Sequence, residues 1–591
     1  MAGYFAASEQ KSTRDDCDYH RNMREVAKNT LLQEVLGSVV SDKWSVLIMD
    51  KQATDVVSSL VGMYEVTEYN ISTVEKLSNS KRQRLPELEA IYIVSPTEQS
   101  VELIAKDFEN PQASKYAGAH IFFLSRMGEG AMGRLQASPA LVARLRTLRE
   151  INLDFRATEA QTFDLRLPHA LHRLYGRGAD REGLLQVAAA RLVTLCVALH
   201  EFPVVRWGAR GGAGGVARAL ADEVSRQLRQ ASAVLGPTAY WYHGQAGRTG
   251  RGRATLLILD RAVDPLSPLL HEFGYQANVY DVLGLEGDTV DFTATTPEGQ
   301  KKQTAVLGEG DPLWAELRHE HLAKAVNVVR ARVDEFMAGN AGARLQRSGA
   351  GGGPTTMAEV SAAMRAVPEY REIVGRLTKH LSVAQRCMDA FEEQDLISII
   401  ELEQTMASGV DELNQKVNKQ TAYGLLVEVL QRPNVSSEVK ARLIGIYFLT
   451  QVPVTEEEKH QLYAHAGPAF REEHQRALDN LALLGVDIGA PRPKVKKSMK
   501  DRAKGLFSKV RTANIYGQAQ EFTTTRRRAL LDEILQDLCR NRLSDEDYPS
   551  KEGPTAAAGG GAAEGDLDSV RSKPSRFSQA ARGGGGGGGG L

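Results

Sequence analysis

The chain has 591 residues, with 73 Lys or Arg against 74 Asp or Glu, a net charge of −1, and apolar and charged fractions of 42% and 25%. That is length enough for three or four ordinary soluble domains, and it leaves no bulk charge to draw in nucleic acid or an acidic substrate. The four cysteines, Cys17, Cys196, Cys387 and Cys539, lie far apart and form no CxxC or metal-ligand spacing, which fits a reducing, intracellular compartment.

The amino end, MAGYFAASEQKSTRDDCD, lacks the basic start, apolar middle and small-residue cleavage site of a secretory signal, so a cytosolic protein is expected. From Trp44 onward, short apolar runs alternate with helix-like stretches: VLIM (Val46–Met49), IYIV (Ile91–Val94) and HIFFL (His120–Leu124). Strands apolar on both faces, with helical spacers, predict a parallel sheet covered by helices. After HIFFL comes GEGAMG, a literal GxGxxG at Gly128, Gly130 and Gly133, with Glu150 and Asp154 about where a ribose-binding acid would lie. A dinucleotide site needs those glycines in the first strand-to-helix turn, ahead of a full helix. This one follows at least the third strand, and Pro139 stops any helix within a few residues, so a loop is the preferred reading. A nucleotide- or phosphate-binding α/β enzyme cradled on these glycines stays as the alternative.

Leu184–Leu199 is too short to span a bilayer and carries Gln186 and Arg191, which makes it a buried helix. With LLIL (Leu256–Leu259) it predicts a second α/β unit, separated from the first near Asp154 and interrupted by the Gly-rich loop Gly208–Gly215. GQAGRTGRGR (Gly244–Arg253) resembles a phosphate loop only superficially and reads as a basic linker. Next comes LILDRAVDPLSPLLHE (Leu257–Glu272). A phosphatase-like pair would need a second Asp two residues after Asp260, where Ala262 stands. Asp264, followed by Pro265, is expected to cap a turn or pair with Arg261.

After Asp281 helical spacing dominates, as in LWAELRHEHLAKAVNVVRARVDEFM (Leu313–Met337). His319 and His321 flank Glu320 in this expected helix and point to different faces, which disfavours metal chelation. The Gly-rich stretch Gly339–Pro354 reads as the tip of a helical hairpin, and helices resume from about Thr356 to Leu484. PRPKVKKSMKDRAKGLFSKVR (Pro491–Arg511) carries nine Lys or Arg against one Asp, with Met499, Ala503, Leu506, Phe507 and Val510 on one helical face. It is either a surface helix docked by its apolar stripe or a segment that touches anionic lipid through Lys496, Lys497, Lys500 and Phe507. From Ser550 to Leu591 large apolar residues almost vanish, and disorder is expected. No GxSxG, HExxH or GK[ST] loop occurs, and neither an enzyme nor a cofactor is expected.

LLILDRAVDPLSPLLHEFGYQANVYDVL resembles the signature of the SM family of syntaxin-binding proteins, which govern SNARE-driven membrane fusion. Supporting segments follow in the family's order: KWSVLIMDK (Lys43–Lys51), LPELEAIYIVSPTEQSVELIAKDF (Leu85–Phe108), KYAGAHIFF (Lys115–Phe123), TLREINLDF (Thr147–Phe155), DPLWAELRHEHLA (Asp311–Ala323), VPEYREIVGRLTKHLSVAQRCM (Val367–Met388) and LALLGVDI (Leu481–Ile488). The similarity covers about Lys43 to Pro549, and LIMDK resembles the plant branch.

The resemblance implies α/β plus α architecture in an arch, with two parallel-sheet α/β domains and a largely helical inserted domain. On this chain that gives an N-terminal region (1–42), domain one (43–154), the first part of domain two (155–271), helical domain three (272–488), an incomplete second part of domain two (489–549) and a disordered tail (550–591). Family members continue past the DYP-like segment into a strand, a glycine turn and a helix. Here Asp547-Tyr548-Pro549 leads into the Gly-rich tail, so domain two is expected to lack its closing elements.

The resemblance also implies function through surfaces. A cleft wall gripping a syntaxin, the Qa-SNARE, would include Asp50, Asp55, Ser58, Ser59, Met63, Glu75, Lys81 and Arg82, with Val56, Val57 and Leu60 alternating among them. A pocket for the syntaxin's N-terminal peptide corresponds to Met127, Met132, Leu145, Leu148 and Glu150, and a hairpin with Pro368, Tyr370 and Leu381 to contact with the vesicle SNARE. Asp260, Arg261 and Asp264 would fix an inter-domain angle. The implied protein is a monomer that binds a syntaxin and the assembled SNARE bundle, does not bind nucleic acid, templates SNARE pairing for exocytosis, and associates peripherally with the plasma membrane or secretory vesicles.

Overall fold

Five strands organise the first part of the chain: β1 (Ser45–Met49), β2 (Ile71–Lys76), β3 (Glu89–Val94), β4 (Ala119–Phe123) and β5 (Leu145–Glu150). They form one parallel sheet in the order β2-β1-β3-β4-β5. The computed structural model describes residues 22–39, 44–110, 112–176, 180–209, 215–235, 253–285, 289–296, 299–339, 367–485 and 527–551, all within one compact unit.

Helices cover both faces of the sheet, which is why β1, β3 and β4 are almost wholly apolar. On one face Leu47, Met49, Ile91, Ile93 and Phe122 meet α1 (Met23–Asn29), the π-helical Thr30–Leu36 that continues it, α2 (Lys51–Leu60) and α3 (Met63–Thr67). On the other, Val46, Ile48, Tyr92, Ile121 and Phe123 meet α4 (Glu98–Phe108), α5 (Glu129–Gln136) and α6 (Pro139–Arg144). Leu31, Val35 and Leu36 are fully buried in the first of these cores. Residues 23–39 therefore belong to the sheet unit, where the sequence suggested only a lead-in. The expected boundary at Asp154 is followed at once by a hairpin of β6 (Arg156–Glu159) and β7 (Thr162–Asp164), and Ala157 joins the same core.

The second α/β unit is small. Parallel strands β8 (Val204–Trp207) and β9 (Thr255–Ile258) pack Val205, Trp207 and Ile258 against α7 (Arg181–Ala198) and α8 (Val216–Leu235). The far edge of β8 is taken by the distant carboxyl segment: Trp207 and Ala209 donate to the carbonyls of Pro549 (3.3 Å) and Asp547 (2.8 Å). The buried Arg206 reaches across to the Tyr548 carbonyl at 2.8 Å and the Asp545 carboxylate at 2.7 Å.

A single large core, from Leu266 to Leu478, holds the helical part. It comprises α9 (Tyr275–Asp281), then α10 (Pro312–Leu317), α11 (Leu322–Gly339), α12 (Val367–Gln394), α13 (Leu396–Ser408), α14 (Lys419–Leu430) and α15 (Ser437–Thr450), with two shorter helices, Glu456–His465 and Glu472–Asp479. Two departures from the helical expectation stand out. An antiparallel hairpin, β10 (Thr289–Thr296) and β11 (Gly299–Val306), lies between α9 and α10. Its Thr-rich DFTATT run suits a pleated strand better than a helix. The chain also turns at 318–321: Tyr275 and Gln276 amides take the Glu320 and Arg318 carbonyls, so His319 and His321 sit in a turn and not in one long helix. His321 stacks on Phe273 at 5.3 Å. Finally α16 (Leu530–Cys539) precedes the segment that borders β8. Residues 489–526 and 552–591, and with them the lipid-contact candidates Lys496, Lys497, Lys500 and Phe507, lie outside the described residues.

Candidate partner-binding surfaces

The first surface begins where β1 turns into α2. Asp50 caps that helix: one carboxylate oxygen accepts the Ala53 amide at 2.8 Å, the other the Ser95 amide at 2.6 Å. Its acceptors are committed to joining the ends of β1 and β3, a scaffolding role. Asp55, about one turn on, pairs with Arg166 at 2.8 Å. Ser58 is exposed, and the Ser59 hydroxyl donates to the Val56 carbonyl at 2.7 Å. Val56, Val57 and Leu60 are buried against the sheet, so they form the inward face of an amphipathic helix and not a seam open to a partner. Outward apolar surface comes from α3, where Met63 is 62% and Tyr64 77% exposed. Glu65 fixes that short helix by pairing with Lys28 and accepting the Gly62 amide at 3.0 Å.

Glu75 lies half-buried on the edge strand β2 and accepts from Asn79 at 3.4 Å. Lys81 is exposed. Its neighbour is not: Arg82 is 6% exposed, grips Asp107 with bonds of 2.8 and 2.6 Å, and donates to the Lys76 and Asn79 carbonyls at 2.9 Å each. Burial opposes the charge on Arg82, but the Asp107 carboxylate outweighs it and holds the guanidinium above its ordinary value. The same burial, with Asp107 beside it, pushes the Tyr92 phenol well up, and its hydroxyl donates to Asp107 at 2.9 Å. The expected Lys81–Arg82 basic pair is thus corrected to Lys81 alone, because the buried Asp107 requires an internal counter-charge.

The second surface lies along β5. A register shift opposite Ala119 and His120 places Leu145 against Ala119, Leu148 against Ile121 and Glu150 against Phe123, so all three share one face although their spacing is irregular. Leu145, Leu148 and Met127 are partly buried against the core on that face, and Met132, on α5, is exposed. Glu150 accepts the Met127 amide at 2.9 Å.

The GEGAMG segment opens α5, with Gly128 as its cap, and Pro139 begins α6. A Cβ added at Gly130 would collide with the Glu98 carboxylate. The glycine thus makes room for an acid, which would repel a pyrophosphate at the same place. Asp154 is buried and bonded to Ser125 (3.2 Å), Gln52 and Arg191 (3.2 Å), and burial raises its carboxyl above the usual range in spite of them. Asp154 is thereby committed inside the fold, whereas Glu150 is exposed and commits one oxygen to the Met127 amide. Burial also pushes the Cys196 and Cys387 thiols up to about 12, which keeps these two protonated at neutral pH.

Asp260, Arg261 and Asp264 form the turn after β9. Asp260 caps it through the Ala262 amide at 2.9 Å, and Arg261 donates to the Asp264 carbonyl. Asp264 accepts the Ser267 hydroxyl at 2.6 Å and the Leu530 amide at 2.9 Å, with Arg527 at 3.6 Å. Burial pulls its carboxyl up, but those bonds outweigh it and leave it below the usual range. Asp264 therefore ties residues 264–267 to the chain 266 positions later. Pro368 and Tyr370 occupy the first turn of α12 as described, with side chains outside the described residues, and Leu381 is half-buried against the helical core.

Two features escaped the sequence. Tyr64 carried one weak signal, the Gly62 that ends the α2 pattern and starts α3. The cluster at Asp311 carried none. There Asp311 caps α10 and accepts from Lys379 and from His380 Nε2 at 3.0 Å, while His380 Nδ1 meets the Tyr275 hydroxyl at 3.0 Å.

A model of the Sec1 family matches residues 45–588. "Protein transport protein sec1" of Dictyostelium discoideum is 32% identical over 91% of this chain and 85% of its own length, and "SNARE-interacting protein KEULE" of Arabidopsis thaliana is 28% identical over 91% and 80%. Among solved structures, the Unc18–syntaxin 1 complex of Monosiga brevicollis contains a chain 26% identical, with TM-score 0.74, covering 90% of this chain and 89% of that one. The SM protein Vps45, solved with the Qa SNARE Tlg2, superposes with TM-score 0.69 at 19% identity over 90% and 88%, a likeness of fold.

Proposed function

The chain belongs to the Sec1 family, and from that premise we propose that it is a SNARE regulator, binding a syntaxin-type Qa-SNARE and templating SNARE assembly for vesicle docking and exocytosis. The observation that carries this reading is the likeness over nine-tenths of the chain to the Unc18 protein of the Unc18–syntaxin 1 complex. It acts by binding alone, spending contact energy on orienting another protein's helices, with no covalent step.

The first wall of the grip is the outward face of α2 and α3, with Met63 and Tyr64 as the apolar centre and Ser58, Asp55, Glu75 and Lys81 as its polar surround. Asp50 and Ser59 shape that wall from beneath. Met132, with Met127, Leu145 and Leu148 behind it and Glu150 at the edge, receives the syntaxin's amino-terminal peptide. The surface of α12 around Pro368, Tyr370 and Leu381 meets the vesicle SNARE. The protein works as a monomer in the cytoplasm and reaches membranes through its SNARE partners; no helix among the described residues is long and apolar enough to cross a bilayer.

A binding titration of the full chain against a panel of syntaxin cytosolic domains, each with and without its amino-terminal peptide, tests this. One panel member binds, Met63→Asp with Tyr64→Asp weakens it by about tenfold or more, and Met132→Asp acts only when the peptide is present. Absence of binding to every Qa-SNARE would overturn the proposal.

A further inference from the structure

Helix α16 shows an apolar stripe that nothing among the described residues covers. Leu531 is 49% and Leu535 45% exposed, and Cys539, one further turn along the same face, is exposed too. The helix is anchored at its start: the Leu530 amide is held by Asp264 at 2.9 Å, the preceding Arg527 amide donates to Gln404 at 3.1 Å, and Ile534 is the buried residue of the helix itself. A leucine stripe on a fixed helix is a prepared docking face, not a frayed end. Its charge narrows the partner. The ten residues Leu530–Cys539 contain Asp532, Glu533 and Asp537 and no cation. Asp537 pairs with Arg542 at 3.0 Å, while Asp532, which borders the stripe, and Glu533 form no ion pair among the described residues.

We propose that the docking face of α16 receives this chain's own basic amphipathic segment, residues 499–510, in an intramolecular helix-to-helix contact. That segment offers what the face lacks. Met499, Ala503, Leu506, Phe507 and Val510 repeat at helical spacing, and Lys500, Arg502, Lys504 and Lys509 stand around them. Only the 15 residues 512–526 separate Arg511 from Arg527, the anchored residue that leads into α16. Fifteen residues reach at most about 50 Å when fully extended, long enough to bring the segment onto the face and short enough to keep it near. The carboxylates on α16 oppose an anionic lipid surface and favour a cationic partner. The same apolar stripe that could enter a membrane is thereby turned inward.

Zero-length carbodiimide cross-linking of the full chain, in an isotopically mixed sample read by peptide mass spectrometry, tests the contact. Within-chain amides are expected between Lys500, Lys504 or Lys509 and Asp532 or Glu533. The variant carrying Leu531→Asp and Leu535→Asp, its folding checked by a thermal melt, should lose at least about fivefold in yield, because an apolar seam is the contact's core. Links found only between chains would assign the face to a second copy and overturn the proposal. So would equal yields in wild type and variant, or no link in a chain that sediments with phosphatidylserine vesicles and not with phosphatidylcholine ones. The wild-type cross-link pattern decides the matter even where a variant fails to fold, and it is independent of whether any syntaxin binds.

Discussion

Arg82 and Lys81 are adjacent in sequence and opposite in role, and replacing each with Met separates structure from recognition. Arg82→Met removes a guanidinium that is 6% exposed and leaves Asp107, with its remaining Lys115 contact at 3.0 Å and the Tyr92 hydroxyl at 2.9 Å, without its main counter-charge. It also orphans the Lys76 and Asn79 carbonyls that Arg82 holds at 2.9 Å. Breaking a buried pair from one side costs about 3–5 kcal/mol, which for a unit of this size lowers the melting temperature by roughly 10 °C. Lys81→Met deletes an exposed cation and should leave the melting temperature within about 1 °C, since surface charges contribute little. It should slow association with an acidic helical partner about two- to fivefold, in a salt-dependent way. Differential scanning fluorimetry and stopped-flow binding of both variants give the four numbers. An Arg82→Met protein with unchanged melting temperature and lost partner binding would refute the assignment of Arg82 to the interior.

Arg206→Ala should release the carboxyl segment from β8, so that amides 547–551 exchange hydrogen about tenfold faster or more while the five-stranded sheet is unaffected, because the Tyr548 and Asp545 contacts are charge-assisted. Glu403 is fully buried and accepts both the amide (2.9 Å) and Nδ1 (2.8 Å) of His271, so Glu403→Ala should destabilise by about 3 kcal/mol in urea unfolding. Acidification should weaken the helical part in two stages. His380, faced by Asp311, Lys379, Arg376, Tyr275 and Trp314, is held below the ordinary imidazole range by burial, with Asp311 opposing and the nearby cations assisting. Its folded pKa therefore lies under its unfolded one, so the unfolded chain takes up more protons and stability falls as pH drops below about 6.5. For Asp311 burial acts upward, but its bonds to His380 and Lys379 outweigh it and hold the carboxyl well below the carboxylate range, which adds a second loss below about pH 4. Thermal melts at pH 7.5 and 5.5 should show the first stage, and His380→Gln should reduce it.

Local pattern determined the parts of this protein that depend on nearest neighbours. The doubly apolar runs at Val46–Met49, Ile91–Val94 and His120–Leu124 could be satisfied only between two layers of helices, and they became the three central strands of a parallel sheet. Likewise the apolar run Leu184–Leu199, too short to span a bilayer, became a buried helix, and the motif order along the chain identified its family. Long-range contact decided the rest. Whether Arg82 is a surface cation or an internal one depends on Asp107, 25 residues away, and one carboxylate oxygen of Asp264 accepts from a residue 266 positions later. Leu145 and Leu148 share a face only because β5 is displaced against β4, and the seam of Val56, Val57 and Leu60 points inward because the sheet's core takes it. A residue's type and spacing set which surfaces it can join. Which charge is neutralised and which apolar group stays in water is settled only when distant segments compete for the same buried space.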